Sequence, residues 1–178
     1  DAMSRFFWSV VLGVTLFSRA YSQEAKQADI CIYGATSAGV IAAIQAKKMG
    51  KTVFLIEPSQ HVGGLTSGGL GFTDSGDKGV IGGLSREFYQ RVKKYYDDPK
   101  VWVHAKRETY PQYRPTEDAM WTFEPKVAEN IYLEWLKEYK IEVFFGQRLD
   151  RAPTKGVKKK GAKIESIKME SGQEYMAQ

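Results

Sequence analysis

Residues 29–57, DICIYGATSAGVIAAIQAKKMGKTVFLIE, decide the fold of this protein. The stretch begins with the apolar run 29–33, which predicts a short strand. The turn after it contains two glycines, and residues 40–49 are rich in helix formers and end at Gly50, a usual stop for a helix. Residues 52–57 form a second apolar run, which ends in an acid. A strand, a glycine turn, a helix and a strand within about 30 residues are typical of one βαβ unit.

This unit is suited to binding a dinucleotide. Gly34 would allow the tight turn and Gly39 would let the helix pack close to the sheet, while the N–H groups at the helix N-terminus favour a pyrophosphate. Glu57 lies 23 residues after Gly34 and can accept hydrogen bonds from a ribose diol. Its charge would repel a 2′-phosphate, so FAD or NAD is favoured over NADP. The alternative is an ordinary βαβ unit that binds no ligand.

The middle glycine of the usual GxGxxG pattern is replaced by Thr36. That glycine normally lets the backbone approach the phosphates. The side chain of Thr36 must therefore stay clear of the phosphates or donate its hydroxyl to one of them. The motif depends on its context, which is a strand before it, a helix after it and an acid at the right distance.

A second glycine cluster follows the second predicted strand. Six glycines lie within the 14 residues from Gly63 to Gly76, which excludes a regular helix or strand there. Such a loop allows a flat ligand to lie against the backbone. A plain NAD-binding unit is expected to continue toward another helix at this point, so the cluster favours FAD over NAD.

With these features the chain resembles the N-terminal part of FAD-dependent oxidoreductases of the glutathione-reductase-like superfamily. The resemblance rests on YGATSAG at 33–39, EP at 57–58, HVGG at 61–64, GLG at 69–71 and WTFEPKVAE at 121–129. It extends over roughly residues 28–178. Within the superfamily the chain is most similar to a bacterial, often secreted group, in which a threonine at the position of Thr36 is usual.

The resemblance implies FAD as the cofactor and a set of residues that bind it. The residues implied near the pyrophosphate are Gly34, Thr36, Ser37, Ala38 and Gly39, together with the pair Gly63 and Gly64, which also lies near the ribityl chain. Glu57 would hold the adenosine ribose, Thr66 and Ser67 would lie near the isoalloxazine ring with Gly68 and Gly69, and the backbone at Val143 would lie near the adenine. His61 stands where many relatives carry arginine and is counted with the cofactor-binding residues. No catalytic acid or base is identified.

The remaining elements are predicted from periodicity. Residues 82–96 form an amphipathic helix with Leu84, Phe88, Val92 and Tyr95 on its apolar face. A second helix is predicted over residues 124–140, with an apolar stripe of Val127, Ile131, Trp135 and Leu136, and a strand over 141–145. Residues 148–178 are predicted to form a β-meander.

Residues 97–121 are irregular and rich in aromatic side chains. Long loops of this kind are often functional lids. On that interpretation the candidates for substrate contact are His104, Arg107, Tyr110, Tyr113 and Arg114. The alternative is a surface excursion that docks on a domain outside this chain.

Composition excludes several classes of protein and site. The chain has 178 residues, of which 43% are hydrophobic and 26% are charged, with a net charge of +5, as in an ordinary soluble globular protein. The single cysteine, Cys31, excludes an intramolecular disulfide and a thiolate zinc cluster, and two histidines leave little for a metal site, so no metal is expected. The lysines at 155–163 are more typical of a solvated turn than of a surface that binds nucleic acid, so no nucleic acid partner is expected.

The N-terminus is predicted to be a targeting segment. After two leading residues, residues 3–22 combine Arg5, an apolar core at 6–17 and the small residues Ala20 and Ser22, the layout of a secretory signal peptide. The core is too short for a membrane span, which needs about 20 apolar residues. A buried helix and an uncleaved anchor are the alternatives. The expected location is periplasmic or secreted, with no stable membrane span after cleavage.

These observations predict an α/β fold, a Rossmann-like FAD/NAD(P)-binding domain with a parallel sheet, a βαβ unit and a β-meander. The expected organisation is a signal peptide over 1–22, a linker over 23–28 and the N-terminal portion of an FAD-binding domain over 29–178, with the rest of that domain and a substrate domain outside this chain. The expected function is FAD-dependent hydride or electron transfer on a small-molecule or carbohydrate-related substrate. A secreted non-enzymatic module with a nucleotide-binding fold and an NAD-binding oxidoreductase are the alternatives.

Overall fold

The computed structural model describes residues 24–178. In chain order the strands are β1 (Lys26–Ala28), β2 (Ile30–Tyr33), β3 (Val53–Ile56), β4 (Glu142–Phe144), β5 (Val157–Lys160), β6 (Lys163–Lys168) and β7 (Glu174–Ala177), and the helices are α1 (Ser37–Lys48), α2 (Gly83–Asp97) and α3 (Pro125–Glu138). The predicted signal peptide lies outside the described residues. Across the part that is described, the helices are too short or too polar to cross a membrane.

A parallel sheet carries the predicted βαβ unit. Its strand order is β2-β3-β4, and both strand pairs are parallel. Helix α1 connects β2 to β3, as the pattern of residues 29–57 predicts. The four residues of β3 are all buried, because this central strand is covered on both faces. The predicted α/β fold with a parallel sheet is confirmed.

The helices pack together over one side of this sheet. Val40 and Ile44 of α1 are fully buried in the main core, as is Trp135 of α3. The four predicted stripe residues of α3 are all buried. On α2 the buried face continues through Tyr96, which is 6% exposed, whereas the predicted Tyr95 is 39% exposed. Residues 88, 92 and 96 are four apart, so this face follows the i, i+4 spacing more closely than the one predicted.

A second sheet contains the predicted meander and one strand that was not predicted. Strand β6 pairs with both β5 and β7, and both pairs are antiparallel. Strand β1 pairs with the other edge of β7 in a parallel arrangement, with Lys26 opposite Tyr175. Part of the segment 23–28, predicted to be a linker, is therefore a strand. A small core lies between the two sheets, where the rings of Phe54 and Tyr175 are 5.4 Å apart. This core explains why the N-terminal segment is held in place.

The aromatic loop at 97–121 docks on α2. The Tyr113 hydroxyl donates to the Asp97 carboxylate at 2.6 Å, and the Trp102 indole donates to the Tyr96 carbonyl at 2.8 Å. Lys93, which is only 6% exposed, forms an ion pair with Asp97. The loop thus packs on this chain itself, and the alternative of docking on an outside domain is not needed to explain its aromatic residues.

Candidate functional site

The turn between β2 and α1 leaves no room for a side chain at Gly39. Gly34 has a φ of 102°, a conformation that favours glycine. A Cβ on Gly39 would lie 2.0 Å from the carbonyl oxygen of Gly34, so any larger residue would collide with backbone. The packing role predicted for Gly39 from its spacing is confirmed.

Thr36 caps the helix that follows the turn. Its Oγ1 accepts a hydrogen bond from the Gly39 N–H at 3.2 Å, which satisfies one of the free donors at the N-terminus of α1. The preceding N–H, that of Ala38, has no acceptor within residues 24–178. The first turn of α1 contains no acidic residue, so the positive end of the helix dipole is left for an anion.

Glu57 connects the turn to the loop after β3. One of its carboxylate oxygens accepts from the Ala35 N–H at 2.7 Å and the other accepts from the Ser59 N–H at 2.8 Å. The sequence predicted a ribose contact for this residue and gave no sign of these backbone contacts. A carboxylate offers about four acceptor positions, so roughly two remain for ribose hydroxyls.

The second glycine segment lies directly on the first. The Gly63 N–H donates to the Ala35 carbonyl at 2.7 Å, and the Ser37 hydroxyl donates to the Gly63 carbonyl at 2.9 Å. The hydroxyls of Ser37 and Thr66 are 2.6 Å apart. A Cβ on Gly64 would lie 3.3 Å from Thr36, which is tighter than an ordinary contact. Two segments separated in sequence therefore form one backbone surface with little side-chain cover.

Helix α3 completes the site through Glu129, which the sequence analysis did not identify. Its Oε1 accepts from the Val62 N–H at 3.3 Å and lies 2.9 Å from Nδ1 of His61. Ser67 also donates to the Val62 carbonyl. These contacts fix the loop that carries the glycine pair. Glu129 ends the motif at 121–129, but this motif does not reveal its contacts, because its partners lie 67 and 68 residues away.

An open cleft of about 650 Å³ lies among these elements. It brings together six of the predicted residues, which are Thr36, Glu57, His61, Gly64, Ser67 and Gly68. The other lining residues are Ser59, Pro125, Lys126, Glu129 and Asn130. The cleft is therefore bounded by the helix N-termini of α1 and α3 and by the two glycine segments.

The remaining predicted residues lie around the cleft or away from it. Ser37, Ala38 and Thr66 line a neighbouring cavity of about 210 Å³ together with Tyr132, whose phenol has a pKa raised by burial. Gly34, Gly39 and Gly63 build the turn and the loop. Val143 lies in β4, opposite Leu55 of β3, and packs against the main core.

The candidate substrate residues of the aromatic loop have different surroundings. Arg107 donates to the Asp97 carbonyl at 2.6 Å, and Tyr113 is 9% exposed, so both hold the loop on α2. His104 and Tyr110 line a separate cavity of about 200 Å³. Arg114 lines a further surface cleft with Phe72. Within the described residues, no three His, Cys, Asp or Glu side chains are grouped so that they could hold a metal ion.

The residues present fit a dinucleotide cofactor. The turn has no room for a Cβ at Gly39, Ala38 offers a free backbone donor, and Glu57 keeps acceptor positions. Residues 29–178 match the family described as FAD dependent oxidoreductase. The chain belongs to this family. Membership confirms the predicted assignment to FAD-dependent oxidoreductases and FAD as the cofactor.

Solved structures similar to this chain include bacillithiol disulfide reductase Bdr (YpdA) from Staphylococcus aureus, at 18% identity and a TM-score of 0.48 over 87% of this chain and 36% of that one. 3-Ketosteroid-delta4-(5alpha)-dehydrogenase from Rhodococcus jostii RHA1 is 13% identical, with a TM-score of 0.48 over 90% of this chain and 46% of that one. T. acidophilum thioredoxin reductase is 15% identical, with a TM-score of 0.48 over 85% of this chain and 33% of that one. The chain thus spans less than half the length of each of these structures. No curated protein matches it significantly.

Proposed function

We propose that the protein containing this chain binds FAD in the cleft and transfers a hydride between a small-molecule substrate and the flavin. The observation that carries this proposal is the joined backbone surface of the two glycine segments, with the Glu57 carboxylate attached to it. When bound, FAD supplies the two-electron chemistry, and the protein supplies binding and orientation.

The chain's own residues divide the work of binding. The Ala38 N–H and the Thr36 hydroxyl proton are the donors for the diphosphate at the positive end of α1. The free acceptor positions of Glu57 bind the ribose diol, and the Gly63-Gly64 backbone allows the cofactor to approach closely. The end of β4 lies beside Glu57, since the Glu57 N–H donates to the Phe144 carbonyl at 2.9 Å, which supports placing the adenine near Val143.

A second part of the proposal concerns the group of proteins to which this one belongs and its location in the cell. We propose that the protein belongs to the bacterial, often secreted group that the motifs resemble, and that residues 3–22 are a signal peptide that directs it to the periplasm or the exterior. The charged residue, apolar core and small residues of that segment support this. Mass spectrometry of the intact exported protein should show an N-terminus near Gln23. An N-terminus that retains residues 3–22 contradicts the proposal.

The absorption spectrum of the full-length gene product, purified without added cofactor, tests the proposed function. We expect a flavin spectrum that bleaches on chemical reduction. If the protein is colourless, added FAD should restore that spectrum. A folded protein that remains colourless and takes up no added FAD contradicts the proposal.

A further inference from the structure

Four ionisable side chains line the cleft, and three of them are already committed. Both carboxylate oxygens of Glu57 accept from backbone N–H groups. His61 and Glu129 pair with each other at 2.9 Å. The fourth, Lys126, forms no ion pair within residues 24–178. A negatively charged ligand in this cleft would therefore meet one uncommitted cation.

His61 is poorly placed to serve an anion. Its Nδ1 is held by the Glu129 carboxylate, and the same oxygen accepts from the Val62 N–H. An anion that approached the His61 ring would also approach the negative charge of Glu129, which repels it. The resemblance to relatives with arginine at position 61 suggests a charge contact between this residue and the cofactor. Because His61 pairs with Glu129, it instead helps to hold the loop in place.

Lys126 occupies a position that is less favourable for a cation than for an anion. It lies in the first turn of α3, directly after Pro125, and that turn contains no acidic residue. A cation near a helix N-terminus is repelled by the positive end of the helix dipole. A bound anion removes this conflict, because it interacts favourably with both the ammonium and the dipole. The long, flexible stem of lysine also suits it to reach a phosphate in the cleft.

We propose that Lys126, and not His61, supplies the positive charge that binds the FAD diphosphate. The inference rests on the proposed function and adds a residue to it. It places the diphosphate between the N-termini of α1 and α3, where Thr36 and Lys126 both line the cleft. The Glu129–His61 pair then serves to position the loop at Val62–Gly64.

The test uses the full-length gene product, freed of bound flavin, and three variants. Lys126→Met removes the charge and keeps much of the side-chain length. Lys137→Met is the matched control, because Lys137 is an exposed lysine in the last turn of the same helix. His61→Gln removes the imidazole and retains a group that can hydrogen-bond to Glu129. Dissociation constants are measured for FAD, for ADP, which retains the diphosphate, and for adenosine, which lacks it.

We expect Lys126→Met to weaken the binding of FAD and of ADP by about tenfold, the effect of one charge-assisted contact. Adenosine binding should be unchanged, and Lys126→Arg should restore most of the affinity for ADP. Lys137→Met should change each constant by less than about twofold, and His61→Gln should weaken the binding of FAD and ADP less than Lys126→Met does. Thermal unfolding of each variant checks that it is folded, and Lys126→Gln replaces the methionine variant if that one is not.

Several results would overturn the inference. One such result is wild-type affinity for FAD and ADP in folded Lys126→Met. Another is an equal loss of affinity for adenosine and for ADP in that variant, which would indicate a structural role. A loss in His61→Gln as large as that in Lys126→Met also contradicts it. Failure of the wild-type protein to bind either FAD or ADP is a different outcome, since it contradicts the proposed function itself.

Discussion

The glycine turn at 34–39 and the aromatic loop at 97–121 are held in place by opposite means. The turn depends on the absence of a side chain at Gly39, because the backbone of Gly34 occupies the space where a Cβ on that residue would stand. The loop depends on side chains, since Tyr113 and Trp102 anchor it to α2 by hydrogen bonds. Changes in the turn should therefore act on cofactor binding as well as on stability, whereas changes in the loop should act on stability alone.

The largest expected effect is at Gly39. Gly39→Ala places a Cβ against the Gly34 carbonyl oxygen, so α1 must move off the sheet. We expect a loss of at least about 3 kcal/mol in the free energy of unfolding, measured by urea denaturation, together with loss of FAD binding. Gly82→Ala is the control, because a Cβ there meets no atom within 4 Å. A Gly39→Ala protein with wild-type stability would show that the turn is placed incorrectly.

Glu57 should show the next largest effect, this time on binding. Glu57→Ala removes the acceptor for the Ala35 and Ser59 N–H groups as well as the expected ribose contact. We expect FAD affinity to fall by about 2–3 kcal/mol, measured by calorimetric titration. Glu165→Ala, a change in β6 at a residue that does not line the cleft, is a suitable control. Unchanged FAD affinity in folded Glu57→Ala would remove this residue from the site.

Asp97 tests the aromatic loop. Asp97→Asn leaves the ammonium of Lys93, which is 6% exposed, without its counter-charge. We expect a loss of about 2 kcal/mol in the free energy of unfolding at neutral pH, with FAD affinity unchanged. A loss of FAD affinity in this variant would break the comparison and support the interpretation of the loop as a lid over the site.

The same residue predicts a pH dependence. Burial raises the pKa of Asp97, but hydrogen bonds from Lys93 and Tyr113 outweigh it, so its pKa in the fold lies below the ordinary 3.8. A carboxyl group with a lowered pKa stabilises the fold above its ordinary pKa, and this stabilisation is lost as the pH falls through the folded value. The stability difference between wild type and Asp97→Asn should therefore shrink below about pH 4. A constant difference down to about pH 2 contradicts this account.

The smallest expected effect is at Tyr113. Tyr113→Phe keeps the ring in the core and removes only the hydroxyl that donates to Asp97. We expect a loss of about 1 kcal/mol in the free energy of unfolding, seen as a lower midpoint of thermal unfolding. Tyr110→Phe is the matched control in the same loop. A loss as large as that of Asp97→Asn would mean that the hydroxyl, and not the charge, holds the loop.

Local patterns predicted the part of the site that is contiguous in sequence. The βαβ unit of residues 29–57 and the packing role of Gly39 follow from periodicity and glycine spacing. Both signals are carried by residues that lie close together in the sequence. The sequence left two options for the Thr36 side chain, which were to stay clear of the phosphates or to donate to one of them, and its role as the N-cap of α1 was not predicted. The choice between the faces of Tyr95 and Tyr96 on α2 depended on packing against the loop, which periodicity does not contain.

The sequence by itself determined the family, the α/β class and the position of the glycine segments, because each depends on neighbouring residues. Only the tertiary structure decided that Glu129 holds His61, that Lys126 is left uncommitted in the cleft, and that Lys26–Ala28 is a strand. The partner of that strand lies about 150 residues further along the chain. Contacts of this range are selected by burial and hydrogen-bond satisfaction in the folded protein, and a single sequence carries no local signal for them.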